Sequence, residues 1–100
     1  MGWVQQALAD LAAGRQAKVR PRGHSMRGRI DDGDLVTIAP ATAGDVEVGD
    51  AVLVKWRRGY LLHLVKAVRG DQLQIGNNVG RINGWVHANA IKGKVIAVAK

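Results

Sequence analysis

The chain has 100 residues, 47% of them apolar, and sets fifteen Lys and Arg against eight Asp and Glu for a net charge of +7. Such a length makes one domain with one modest core, and this apolar content excludes a disordered chain. There is no cysteine, which rules out disulfides and thiol chemistry, and three scattered histidines without paired carboxylates make a poor metal site. No metal and no cofactor are therefore expected.

The opening stretch MGWVQQALADLAAG places apolar residues at 3, 4, 7, 8, 11 and 12, the spacing of an amphipathic helix, and Gly14 is positioned to end it. The segment carries Asp10 and two glutamines and is too short to span a bilayer. It also lacks the basic start and unbroken apolar run of a signal peptide, so the expected location is the cytoplasm, with no membrane span. The helix is expected to cover its own core rather than a membrane surface.

Beyond the helix the chain reads as short strands punctuated by glycine. AKVRPR comes first, with Pro21 at an edge or an end. DLVTIAP follows the turn signal IDDG, and VEVGDAVLVKW follows TAGD. The three-residue connector RRG joins that strand to YLLHLVKAV as a hairpin. RGD leads as a turn into QLQIG, NNVGRINGW reads as a loop, and AIKGKVIAVAK closes the chain as a last strand. The expectation is a single domain over 1–100, with the helix over 1–14 and a mainly β domain over 17–100. One core is expected, shared by Val36, Ile38, Val52, Val54, Leu62, Leu64, Ile75, Val95 and Ile96.

Six basic residues, Arg15, Lys18, Arg20, Arg22, Arg27 and Arg29, precede the acidic run Asp31, Asp32 and Asp34. Such a cluster suits a polyanion through counterion release and is equally a solvated surface. Without aromatics interleaved for base stacking, it points at most to weak, sequence-independent nucleic-acid binding.

Ser25, within RPRGHSMRGRIDDGDL, is the only serine in the chain. One reading makes it a turn residue, its hydroxyl bonded to nearby backbone. The other makes it a nucleophile, which needs a base within reach and donors for an oxyanion. The candidate bases are His24, His63, His87 and Lys66. His24 adjoins Ser25 and points the opposite way in an extended segment. In YLLHLVKAV, Leu61, His63 and Val65 share one face, and Leu62, Leu64 and Lys66 the other. Both faces are apolar, so His63 sits in a central strand, where it either bonds a carbonyl as a core-edge histidine or stays neutral as a general base.

The ordered set Gly23-x-Ser25-Met26, Gly33-Asp34, Gly49-Asp50, the strand around His63 and Gly93-Lys94-Val95 resembles the superfamily of signal peptidase I and LexA-type self-cleaving repressors, over about residues 19–98. The resemblance implies a small coiled β-barrel with one short N-terminal helix and assigns Ser25 as nucleophile. Bacterial members use a lysine base. Here His63 followed by Leu64 is similar to the Ser-His-Asp arrangement of the endoplasmic-reticulum signal peptidases. Their aspartate position falls near Asn83, and the element before it appears as Gly76, Asn77 and Asn78, so Asn83 and Asn77 are the candidates to orient His63. The proline usual after Ser-Met is Gly28. Gly23 and Met26 flank the nucleophile where substrate approaches and the oxyanion is held. No membrane anchor is recognisable, which sets the chain apart from housekeeping signal peptidases.

The implied activity is a small soluble serine peptidase whose Ser25-His63 dyad cuts a partner protein or peptide, or the chain's own N-terminus at Ala13-Gly14. The alternative is a catalytically weak or inactive β module that uses its basic surface to bind nucleic acid or an acidic protein.

Overall fold

The structure is a computed structural model describing residues 2–23 and 25–100. The helical spacing of the opening stretch becomes α1, Trp3–Ala12, which buries Ala7 and Leu11. Gly14 stops it. At φ 81° this glycine donates its N–H to the Leu11 carbonyl while Arg15 N–H reaches back to the Asp10 carbonyl, a Schellman motif that satisfies two orphan carbonyls. No helix is long and apolar enough to cross a membrane among the described residues.

Seven strands follow: β1 Ala17–Val19, β2 Leu35–Pro40, β3 Ala51–Trp56, β4 Gly59–Arg69, β5 Gln72–Gly76, β6 Ile82–His87 and β7 Ile91–Ala99. All pairings are antiparallel in one sheet of order β1-β2-β7-β3-β4-β5-β6. The mainly β architecture with one short helix therefore matches the sequence reading. The barrel does not close, because among the described residues β6 and β1 remain edge strands with no ladder between them. The sheet curls all the same. In a flat sheet β3 and β6 would stand three strand spacings apart, about 14 Å. Here the Trp56 ring lies against Gly84 of β6, where a Cβ would fall 2.9 Å from Trp56 Cη2.

The core is double rather than single. On β3, Ala51 and Leu53 face a cluster with α1, β1, β2, Met26 and Ile30, while Val52 and Val54 face a second cluster with Val65, Leu73, Ile75 and Ile91. A strand buried on both faces loses the apolar/polar alternation of a half-exposed one, which is why AVLV and YLLHLV read as continuous apolar runs. Ile96 departs from the expected core and is 50% exposed. The β2–β7 register steps from Thr37↔Ala97 to Ile38↔Val95, leaving Ile96 unpaired in a bulge.

Three local readings are corrected. NNVGRINGW is not all loop, since Ile82–His87 is the edge strand β6. The hairpin connector is the pair Arg57-Arg58 with Arg57 at φ 53°, because Gly59 already pairs with Trp56. Residues 46–50 form a turn ahead of β3 rather than its first half.

Gly93, in the middle of β7, marks the tightest helix–sheet approach. A Cβ there would meet Ile38 Cγ2 at 2.7 Å and Leu11 Cδ1 at 2.9 Å. Gly93→Ala is expected to destabilise the domain by about 1–3 kcal/mol through overpacking, read as a lower midpoint in urea unfolding, whereas Gly59→Ala, with open space around its Cβ position, should be close to neutral.

Candidate active site

The two Gly-Asp elements are the same device used twice. In Asp31-Asp32-Gly33-Asp34, Asp34 N–H donates to the Asp31 carbonyl at 3.0 Å and the Asp34 carboxylate accepts from Asp31 N–H at 2.9 Å. In Glu47-Val48-Gly49-Asp50 the corresponding distances are 3.0 and 2.8 Å. Gly33 and Gly49 occupy the third position at φ 90° and 98°, as a type II turn requires. Lysines of β7 and the residue after it then clamp both turns. Lys94 Nζ lies 3.4 Å from Asp50, and Lys100 Nζ lies 2.9 Å from Asp34 and 3.1 Å from Asp31.

The first of these turns anchors the segment that carries Ser25. Asp32 accepts from Gly23 N–H at 3.0 Å, Asp31 accepts from Gly28 N–H at 3.0 Å, and Arg20 donates to the Gly33 carbonyl at 2.8 Å. Ile30 N–H closes a single helical turn onto the Met26 carbonyl at 2.7 Å, driving Met26 and Ile30 into the core and leaving Ser25 exposed. From the other side, Asn78 N–H donates to the Ser25 carbonyl at 2.8 Å and Asn78 Nδ2 to the Arg27 carbonyl at 2.7 Å. Gly28 sits at φ 94°, a conformation proline cannot adopt, so the missing proline follows from the path of this loop.

Opposite the loop runs the first half of β4. Its ladder with β5 begins at Leu64, so from Tyr60 to His63 the strand is paired only with β3 among the described residues. The Val65 N–H bond to the Asp50 carbonyl makes Asp50–Val65 a bonded pair. By the alternation of antiparallel ladders, Val52–His63 is then bonded and Leu53–Leu62 is not. The Leu62 N–H and C=O accordingly point away from β3, toward the open edge.

Between loop and edge lies a cleft of about 190 Å³, lined by Ser25, His63, Gly23, Met26, Tyr60 and Trp3 among others. Ser25 and His63 thus meet in one cleft, although no hydrogen bond joins their side chains among the described residues. His63 is 8% exposed, and its Nδ1 lies 2.7 Å from the Leu62 carbonyl. A carbonyl only accepts, so Nδ1 is the donor, and in the neutral ring the lone pair falls on Nε2.

The other sequence candidates lie elsewhere. Lys66 is the bulge residue of β4, its stem packed over Gly76, and does not line the cleft. His87 accepts from Asn89 N–H at 3.1 Å and turns Nε2 toward Asp71 at 3.3 Å. Asn77, proposed to orient the histidine, is buried, and its Oδ1 accepts from Val79 and Arg81 N–H, shaping the β5–β6 turn. Among the described residues, Asn83 Oδ1 is buried without a hydrogen-bond partner. His24 lies outside the described residues. The group that holds the His63 ring is the Leu62 main-chain carbonyl, the bond that the core-edge reading of this histidine expected.

Compared with known proteins, the chain matches no protein-family model and no curated sequence.

Hydrogen bonding holds Asp34 below the ordinary carboxylate range, first from Asp31 N–H and then from Lys100, and Asp31 likewise, first from Gly28 N–H and then from Lys100. Lys100 is raised by the same two carboxylates, Asp34 first. Depressed carboxylate pKa values stabilise the fold above the ordinary value near 3.8 and lose that effect as pH falls through the folded values. The raised lysine contributes below its ordinary 10.5 and loses its effect only above it. Lys100→Met should therefore melt at a lower temperature than the parent at pH 7, and the difference should shrink progressively as pH falls below the ordinary carboxylate value and through the lowered folded values of Asp31 and Asp34. A gap that does not narrow in acid would assign the effect to packing of the lysine stem.

Proposed function

We propose that the protein is a serine peptidase in which Ser25 is the nucleophile and His63 the general base. The observation that carries this reading is the position of His63, in the same cleft as Ser25 with Nδ1 held by the Leu62 carbonyl, so that the acceptor nitrogen is Nε2. Ser25 Oγ would attack a peptide carbonyl carbon as its proton passes to Nε2. Nε2 would then return that proton to the leaving amine, and water would hydrolyse the acyl-serine by the same route. The Ser25 N–H would hold the oxyanion. The sequence resemblance to signal peptidase I and LexA-type proteins supports the same chemistry and a relation to their coiled barrels, of which this curled sheet would be an open version.

The substrate would be another protein or peptide. A cut at Ala13-Gly14 within the same chain fits poorly, because Trp3 is the part of α1 at the cleft and the ten-residue helix spans about 15 Å. The basic stretch is partly committed to structure, with Arg15 paired to Asp10 and Arg20 bonded to the Gly33 carbonyl, which weakens the nucleic-acid alternative.

The test is labelling with a fluorophosphonate. Ser25 is the only serine, so Ser25→Ala is expected to abolish labelling. His63→Ala should reduce it at least 100-fold, as loss of a positioned base commonly does. A parent protein that stays unlabelled would leave the fold as a binding module.

A further inference from the structure

The cleft beside Ser25 has a size and a lining that define what it accepts. Its walls are largely apolar. Met26, Ile30 and Leu62 are buried, Trp3 and Tyr60 pack partly exposed against the same cluster, and Leu61 closes the β4 side. Two charged residues reach it, Arg22 and Asp31. The Asp31 carboxylate is already engaged by Gly28 N–H and Lys100, so it offers little to a cationic substrate group. A cavity of about 150 Å³ lined by aliphatic side chains is large enough to bind benzene. At about 190 Å³ this cleft exceeds that, and an alanine methyl would leave most of its wall without contacts.

We propose that the cleft receives an aliphatic side chain of leucine or methionine size, on the acyl side of the scissile bond, and that Trp3 and Tyr60 set its limits. This rests on the serine-peptidase reading and adds the substrate class. Tyr60 also lines a second cavity of about 330 Å³ with Leu8, Leu11 and Ile91, so it borders both. Trp3 brings the N-terminal helix into substrate selection, a role separate from the burial of Ala7 and Leu11.

The experiment compares peptidyl diphenyl phosphonates that carry alanine, leucine or phenylalanine side chains at the reactive phosphorus, reading phosphonylation of Ser25 by mass spectrometry. Each buried methylene is worth about fourfold, so the leucine reagent should react about 50-fold faster than the alanine one. Leu61→Phe, which fills the cleft from a half-buried position, should collapse that ratio. Tyr60→Ala, which removes a side chain bordering both cavities, should raise the rate of the phenylalanine reagent relative to leucine. Equal rates for alanine and leucine, with Ser25 still reactive toward a plain fluorophosphonate, would overturn the size preference and leave the hydrolase reading standing.

If Ser25 reacts with no reagent, the hydrolase reading fails by itself. The cleft is then tested by titrating Ser25→Ala protein with N-acetyl-leucinamide and N-acetyl-alaninamide, following the Trp3 indole and Met26 methyl resonances. Tighter binding of the leucine amide would support the aliphatic site, and equal binding would overturn it.

Discussion

The insertion of β7 between β2 and β3 is the constraint from which the placement of the Ser25 loop follows. β2 and β3 each leave a Gly-Asp turn, and each turn closes on a carboxylate that satisfies its first N–H. Because the strand between them carries Lys94, and the residue after it is Lys100, both carboxylates find a cation from one element. The exposed pairs add little as isolated charges. Their role is geometric: Asp34 is nearly buried, its Oδ2 accepts from both Asp31 N–H and Lys100, and this fixes where the chain leaves the Ser25 loop and enters β2. The Ser25 segment is then held at both ends, by Asp31 and Asp32 on one side and Asn78 on the other, with no secondary structure of its own beyond one turn.

The open edge of β4 has a separate cause. β5 is only five residues long and pairs with the distal half of β4. That leaves Tyr60 to His63 facing the Ser25 loop instead of a neighbouring strand, and the unspent Leu62 carbonyl becomes a hydrogen-bond acceptor for the His63 ring. A strand that continued pairing along β4 would both cover the cleft and take that carbonyl. The cleft, the histidine tautomer and the open edge thus have a single origin in the short β5.

These relations mark what could be read from the sequence. The first Gly-Asp turn was legible because a left-handed third position and a carboxylate in the fourth leave a local signature, whereas the second was read into VEVGDAVLVKW as the start of a strand. Also legible were the strand bearing His63 and the helix stop at Gly14. β6 was not, because Asn83 and Gly84 argue against a strand until Trp56 is seen to need a residue without a side chain opposite its ring. Ile96 was misplaced for a related reason: a bulge inverts the inward and outward alternation, and nothing in KVIAVAK announces one. The expected barrel failed to close because closure depends on whether two distant edges meet, and β1, at three residues, offers little to meet. The orienting group on His63 was sought among asparagines because the resemblance puts a side chain in that role, whereas the carbonyl bond was expected only for a core-edge histidine.

That last difference bears on how the proposed dyad would work. In a serine triad the third residue holds the imidazole in the tautomer that leaves Nε2 free and stabilises the imidazolium that forms when the proton arrives. A backbone carbonyl performs the first task, since it accepts from Nδ1 and cannot donate. It performs the second only as a dipole, without a full negative charge. An amide in the same place could present its NH₂ and impose the wrong tautomer, whereas a carbonyl cannot turn over. The absence of an aspartate near Asn83 therefore removes charge stabilisation but not the alignment of the base. The proposed dyad would have its base held through Nδ1 and would be intrinsically slower than a full triad, so its efficiency would have to come from how well the cleft and the open β4 edge hold the substrate against Ser25.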